Sequence, residues 1–109
     1  MKEIKAFIRP NKVNGIVHYL KDAGFKNMTI SSAEGTGKLQ DEKAFVSQKF
    51  SITDSEVAKL ELVVGKNDVD KVVQIISKQG KTINPGDGLI YVSDVERTYR
   101  VKTGKENEN

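Results

Sequence analysis

The chain has 109 residues, 30% of them charged and 37% hydrophobic, and a formal net charge of +3. That length supports one domain around one core, and no apolar run approaches the roughly 18 residues a membrane-crossing helix needs. The absence of cysteine excludes disulfides, thiolate metal sites and cysteine nucleophiles.

The basic residues are spread along the chain instead of gathering on one face, which argues against nucleic acid as a partner. A basic pocket for a small anion stays open. The opening stretch MKEIKAFIRP carries no apolar core of a secretory signal, so a cytoplasmic location without membrane insertion is expected.

Residues 2–9 alternate, with Ile4, Ala6 and Ile8 on one side and Lys5, Phe7 and Arg9 on the other. This period of two predicts a strand with one buried face. Pro10 ends it. Asn11, or in competition Asn14, is placed to cap a following helix. Val13, Ile16, Val17 and Leu20 give that helix an apolar stripe, and Gly24 stops it. Residues 25–33 predict a second strand.

Residues 35–56 then break every period. They are rich in Gly, Ser, Thr and charge, and an irregular stretch of roughly 20 residues in a small domain is usually functional or disordered. Its apolar residues Phe45, Val46, Phe50 and Ile52 argue against a plain solvated linker.

Alternation returns over residues 57–64, with Leu60, Leu62 and Val64 facing one way. A turn over 65–68 leads into a second helical stripe, Val69, Val72, Val73 and Ile76, ended by Gly80. Each of these positions lies 56 residues after its counterpart in the first half. A strand–helix–glycine pattern recurring at constant offset indicates an internal repeat. Beyond it come the turn Asn84-Pro85-Gly86-Asp87-Gly88, a fourth strand over 89–93, and a short fifth strand over 98–101. A domain over residues 1–104 and a polar, flexible tail over 105–109 are expected.

Two βαβ halves in tandem predict an α+β, ferredoxin-like βαββαβ fold. Its antiparallel sheet, in the order fourth, first, third, second, carries two helices on one face. Residues 35–56 then form the tip of the hairpin between strands 2 and 3. The uncovered face presents Lys5, Phe7, Arg9, Lys59, Glu61, Val63, Leu89 and Tyr91, which suits either a wet surface or a subunit interface with Lys5 or Lys59 paired to Glu61.

No catalytic constellation is legible. His18 is the only histidine, and nothing is spaced around it as a metal ligand or a catalytic partner. The domain is expected not to be an enzyme and to need no enzyme cofactor. An RNA-recognition domain shares the strand order but stacks bases on central aromatics, which residues 59–64 lack. Anion binding has more support. Gly86-Asp87-Gly88 and Gly35-Thr36-Gly37-Lys38 are glycine pairs whose backbone N–H groups can be approached by phosphate oxygens. The second departs from P-loop spacing. Arg100 and Lys102 form a third cluster.

These stretches resemble the PII signal-transduction family, the nitrogen regulatory proteins. The resemblance runs from MKEIKAFIRPNKV through Gly24, Met28-Thr29, the Gly35–Lys38 stretch, Leu60-Glu61-Leu62-Val63-Val64 and Gly86-Asp87-Gly88. It continues over Ile90-Tyr91-Val92-Ser93-Asp94-Val95 to Arg100-Val101-Lys102-Thr103-Gly104. It implies a homotrimer of ferredoxin-like subunits with adenine nucleotides, ADP or ATP, in the clefts between subunits. It also implies a long T-loop that docks onto a membrane transporter or an enzyme.

Residue by residue, Thr29 and Val63 match positions that contact adenine, with Glu61 on the same wall. Gly35, Gly37 and Lys38 match the base of the T-loop; Lys38 stands where Arg is usual. Gly86, Asp87 and Gly88 match the B-loop around the phosphates. Arg100 and Lys102 match basic residues supplied by a neighbouring subunit, with Lys again in place of Arg. Phe45 and Phe50 are the candidate target contacts of the loop.

Several positions depart from the pattern. Leu89 follows the B-loop where the family has Lys, which removes a phosphate-binding cation. Leu39 stands where a Gln helps hold Mg²⁺ and 2-oxoglutarate, with Gln40 one place off. Ala58 replaces a Lys that serves 2-oxoglutarate, and the loop contains no tyrosine to be nucleotidylated. The expected function is a divergent PII-like regulator responsive to ADP or ATP, and possibly to AMP. The alternative is a PII-like module for another small metabolite or ion, linked for example to a metal-efflux system, with a degenerate nucleotide site.

Overall fold

A computed structural model describes residues 1–36 and 55–107. The elements run β1 (Lys2–Ile8), α1 (Val13–Asp22), β2 (Thr29–Gly35), β3 (Ser55–Val64), α2 (Val69–Gly80) and β4 (Gly88–Asp94). The four strands form one antiparallel sheet in the order β2-β3-β1-β4. This is the expected ferredoxin-like α+β arrangement.

The alternation of β1 and β3 decides which face is buried. Ile4 pairs with Leu62, Ala6 with Leu60 and Ile8 with Ala58. These side chains meet Ile16 and Leu20 of α1 and Val72 and Ile76 of α2 in one core. Burying each large member contributes roughly 1.5–3 kcal/mol, and the exposed loss of any one would open a cavity between sheet and helices.

The repeat extends to features that its residue pattern does not show. Each helix is entered through a single 3-10 turn, Pro10–Lys12 before α1 and Lys66–Asp68 before α2. Both turns and both helices start at the same 56-residue offset. Neither Asn11 nor Asn14 caps α1: its N-cap is Lys12, which makes no side-chain cap bond. The turn itself feeds the helix, with the Val13 N–H donating to the Pro10 carbonyl.

The two glycines of the repeat differ. Gly24 has φ +99° and is a left-handed helix stop. Gly80 is buried within the last turn of α2, and a Cβ there would lie 3.2 Å from Ile16 Cδ1. Its role is close approach of the two helices.

Three boundaries move. β2 begins at Thr29, not Phe25, because Phe25 and Met28 turn inward against the core. The hairpin strands reach Gly35 and Ser55. In place of a fifth strand, residues 98–107 fold back on themselves. The Arg100 N–H donates to Lys105 O at 2.9 Å, Gly104 N–H to Arg100 O at 2.8 Å and Asn107 N–H to Thr98 O at 2.8 Å. Gly104, at φ +66°, makes the turn, and a single bridge joins Tyr99 to Glu106.

Candidate functional site

The loop between α2 and β4 is the most heavily bonded irregular segment among the described residues. Its carboxylate, Asp87, accepts three hydrogen bonds. They come from the Thr82 N–H at 2.8 Å, the Thr82 hydroxyl at 2.7 Å and Arg9 Nε at 3.0 Å. Arg9 Nη2 also donates to the Pro85 carbonyl at 2.7 Å. Burial alone would push the Asp87 carboxyl up, but the bonds from Thr82 and the Arg9 guanidinium together hold it below its ordinary value.

Gly86 and Gly88 flank this carboxylate at φ +93° and +114°. At Gly88 the backbone passes so close to β1 that a Cβ would collide with the Phe7 carbonyl oxygen. Only glycine fits this position.

On the other side of the sheet, Thr29 of β2 pairs with Glu61 of β3, and Val63 lies one step along the same face. The three line an open cleft of about 640 Å³ together with Met1, Glu3 and Thr98. Glu61 pairs with Lys59 Nζ of the same strand at 3.2 Å, within one chain and not across the subunit interface for which a lysine partner is expected. The Thr98 hydroxyl, in the cleft wall, is buried with no hydrogen-bond partner among the described residues. Gly35 ends β2, buried, with its carbonyl accepting from the Ser55 hydroxyl at 3.3 Å.

The sequence-predicted site residues therefore fall into three groups. Thr29, Glu61 and Val63 share the cleft near the β2 edge. Gly86, Asp87 and Gly88 lie at the β4 edge, three inter-strand spacings or roughly 14 Å across the sheet from Thr29 of β2 and two, roughly 10 Å, from Glu61 and Val63 of β3, before any offset along the strands. Arg100 and Lys102 are exposed on the folded-back segment. That segment follows the far end of β4, where the Val95 N–H donates to Met1 O at 3.2 Å. Seven residues of β4 separate it from Gly88, roughly 20 Å of strand. Gly37 and Lys38, with Leu39, Gln40, Phe45 and Phe50, lie outside the described residues.

Arg9 and Thr82 are the site residues that the sequence reading did not single out. Arg9 stood only among the residues of the open face. The signal lay in the register: Ile8 pairs with Gly88, so the next position along each chain sets Arg9 beside Asp87. Leu89 sits on the uncovered face opposite Phe7, and Tyr91 meets Phe7 edge-on at 5.7 Å between ring centres. His18 is exposed on α1, 3.6 Å from Asp22.

The whole of this arrangement falls within one family description, "Nitrogen regulatory protein P-II", which matches residues 1–105. The chain belongs to the P-II family. A nitrogen regulatory protein P-II of Pasteurella multocida is 34% identical over 110 aligned residues, covering 100% of this chain and 98% of that protein. P-II 2 of Methanothermobacter thermautotrophicus is 36% identical, covering 99% of this chain and 95% of its own length. The P-II protein of Nostoc punctiforme is 34% identical, with 98% and 96% covered. The connection between β2 and β3 is the place of the family's T-loop. No helix among the described residues is long and apolar enough to cross a membrane.

Proposed function

We propose that this P-II protein is a cytoplasmic homotrimer that binds adenine nucleotides, ADP or ATP, in the clefts between its subunits. Its T-loop then regulates a membrane transporter or an enzyme. One observation carries the reading: the groups suited to base lie on β2 and β3 and those suited to phosphate at the β4 edge of the same sheet, with the cations of residues 100 and 102 at the far end of β4. A compact nucleotide reaches them together only if two copies place unlike edges side by side. The uncovered face supports assembly, since Val63, Leu89 and Tyr91 expose apolar surface there.

In this reading Thr29 and Val63 meet the adenine, with Glu61 beside them. Gly86 and Gly88 offer backbone N–H groups to the phosphates, and Gly35, Gly37 and Lys38 close the site from the T-loop. Arg100 and Lys102 come from the neighbouring subunit, where charge-assisted bonds to phosphate are strongest. The protein acts as a regulator, not a catalyst.

A second reading has a specific motive. Leu89 removes a cation beside the B-loop, and Ala58, buried between Ile8 and Ser32, offers no charge to a dicarboxylate. These changes favour a site for another small metabolite or ion. Calorimetry with ADP, ATP and AMP, paired with a native mass, tests both. Heat of binding from a trimer supports the first reading. A trimer silent to all three nucleotides at millimolar concentration, but stabilised by another metabolite, supports the second. Replacing Phe45 and Phe50 together by Ser is expected to abolish target binding and leave nucleotide affinity unchanged.

A further inference from the structure

The Arg9 side chain is only 13% exposed, although it carries a full charge on a small protein. Its guanidinium reaches two points of the B-loop at once, Asp87 through Nε and the Pro85 carbonyl through Nη2. Asp87 in turn holds Thr82 by both its N–H and its hydroxyl. That hydroxyl also accepts from the Asn84 N–H at 3.1 Å. The first, middle and last parts of the loop are thus tied to one cation. Arg9 is itself fixed, because it directly follows the strand residue that pairs with Gly88.

We infer that Arg9 is a positioning residue: through Asp87 and Pro85 it holds residues 82–88 in the shape that receives phosphate, and it does not touch the ligand. This rests on the nucleotide reading given above. Asp87 fits the same role. A carboxylate turned toward a phosphate repels it, whereas a carboxylate occupied by Arg9 and Thr82 is neutralised and shapes the loop. Holding the loop ready means that its ordering is not charged against binding. The planar guanidinium can serve two acceptors in a fixed fork, which a lysine ammonium cannot reproduce.

The test uses the full chain with ADP and adenosine as paired probes, and amide hydrogen exchange without ligand. For Arg9→Lys and Asp87→Asn, exchange over residues 82–88 should rise tenfold or more, while β1 and β3 amides keep wild-type rates. ADP affinity should fall at least tenfold, with adenosine affinity within twofold of wild type. Wild-type loop exchange in Arg9→Lys would overturn the inference, and so would equal losses for both probes. Tighter ADP binding by Asp87→Asn would also overturn it, because removing a nearby negative charge helps phosphate only if the loop has not loosened. A wild-type protein that binds neither probe overturns the nucleotide reading and the phosphate role with it. The exchange rates in that case still decide whether Arg9 holds the loop.

Discussion

The two helix-to-strand connections occupy equivalent places in the repeat and are built in opposite ways. After α1 the chain simply stops: the Gly24 N–H donates to Lys21 O and the Phe25 N–H to Leu20 O, with open space around Gly24. After α2 there is no left-handed stop. Lys81 is already extended, at φ −75° and ψ 151°, and the loop beyond it is organised by Arg9, Thr82 and Asp87. Strands and helices of the duplicated unit kept their pattern, since the shared core constrains both. The connections were freer to diverge, and only the second acquired a polar network with two glycines at positive φ. The second connection carries the polar network of the candidate phosphate loop, whereas residues 26–28 of the first line the cleft beside Thr29.

The largest expected effect tests that contrast at Gly88. Gly88→Ala drives a methyl into the Phe7 carbonyl of the neighbouring strand, in a backbone region that disfavours side chains. Either β4 shifts or the loop unwinds, at a cost of roughly 3 kcal/mol or more. Urea titration should show this as a large fall in the midpoint. A midpoint within error of wild type would mean that the loop is no tighter than its counterpart after α1.

Asp87→Asn comes next. Its hydrogen bonds to a charged partner are each worth about 1.5–3 kcal/mol, and an amide keeps part of them, so a net loss near 1.5 kcal/mol at neutral pH is expected. The pH dependence has a definite sign. The folded-state pKa of Asp87 is depressed, so its contribution is complete above the ordinary carboxylate value and is lost as pH falls below about 4. Thermal melts between pH 7 and 3 should therefore show a shallower acid decline in Asp87→Asn than in the wild type. Parallel declines would remove Asp87 from the account. Asp94 is also depressed, by the hydrogen bond and charge of Lys2, but it lies at the solvent and the substitution leaves it in place.

The fold was largely legible in the sequence because burial writes itself as periodicity. Ile4-Ala6-Ile8 and Leu60-Leu62-Val64 state a buried face at period two, and Ile16-Leu20 and Val72-Ile76 state a helix. What stayed hidden depends on backbone geometry or on partners far apart in the chain. The 3-10 turns that open both helices carry no side-chain cap to betray them. The start of β2 was misplaced because Phe25 and Met28 are apolar for packing against the core, not for pairing. The Arg9–Asp87 link joins residues 78 apart and becomes visible only through the β1–β4 register. The proposed composite site would be hidden for a further reason: its residues, on different strands, would meet only across a boundary between copies.

A smaller effect is expected at Gly24. Gly24→Ala meets no neighbour, so its cost is the left-handed backbone alone, about 1 kcal/mol. For a domain of this size that lowers the melting temperature by roughly 4 to 8 °C. Nucleotide affinity should not change, because Gly24 itself does not line the cleft that holds Thr29, Glu61 and Val63. A loss of ADP binding without loss of stability would contradict the division between the two connections.

The smallest effect is at the matching glycine. Gly80 has no positive φ among the described residues, so an alanine there carries no backbone strain, and it gains part of the roughly 1 kcal/mol by which helices favour alanine over glycine. Against this stands the contact with Ile16 Cδ1 at 3.2 Å, the far end of a side chain that can yield by a few tenths of an ångström. The two terms oppose each other, and Gly80→Ala should fall within about 0.5 kcal/mol of wild type. Two glycines at equivalent positions of a repeat would then differ in their response because one sets a dihedral angle and the other a distance between helices. Equal destabilisation of Gly24→Ala and Gly80→Ala in the same melt would mean that both are helix stops and that the halves did not diverge here.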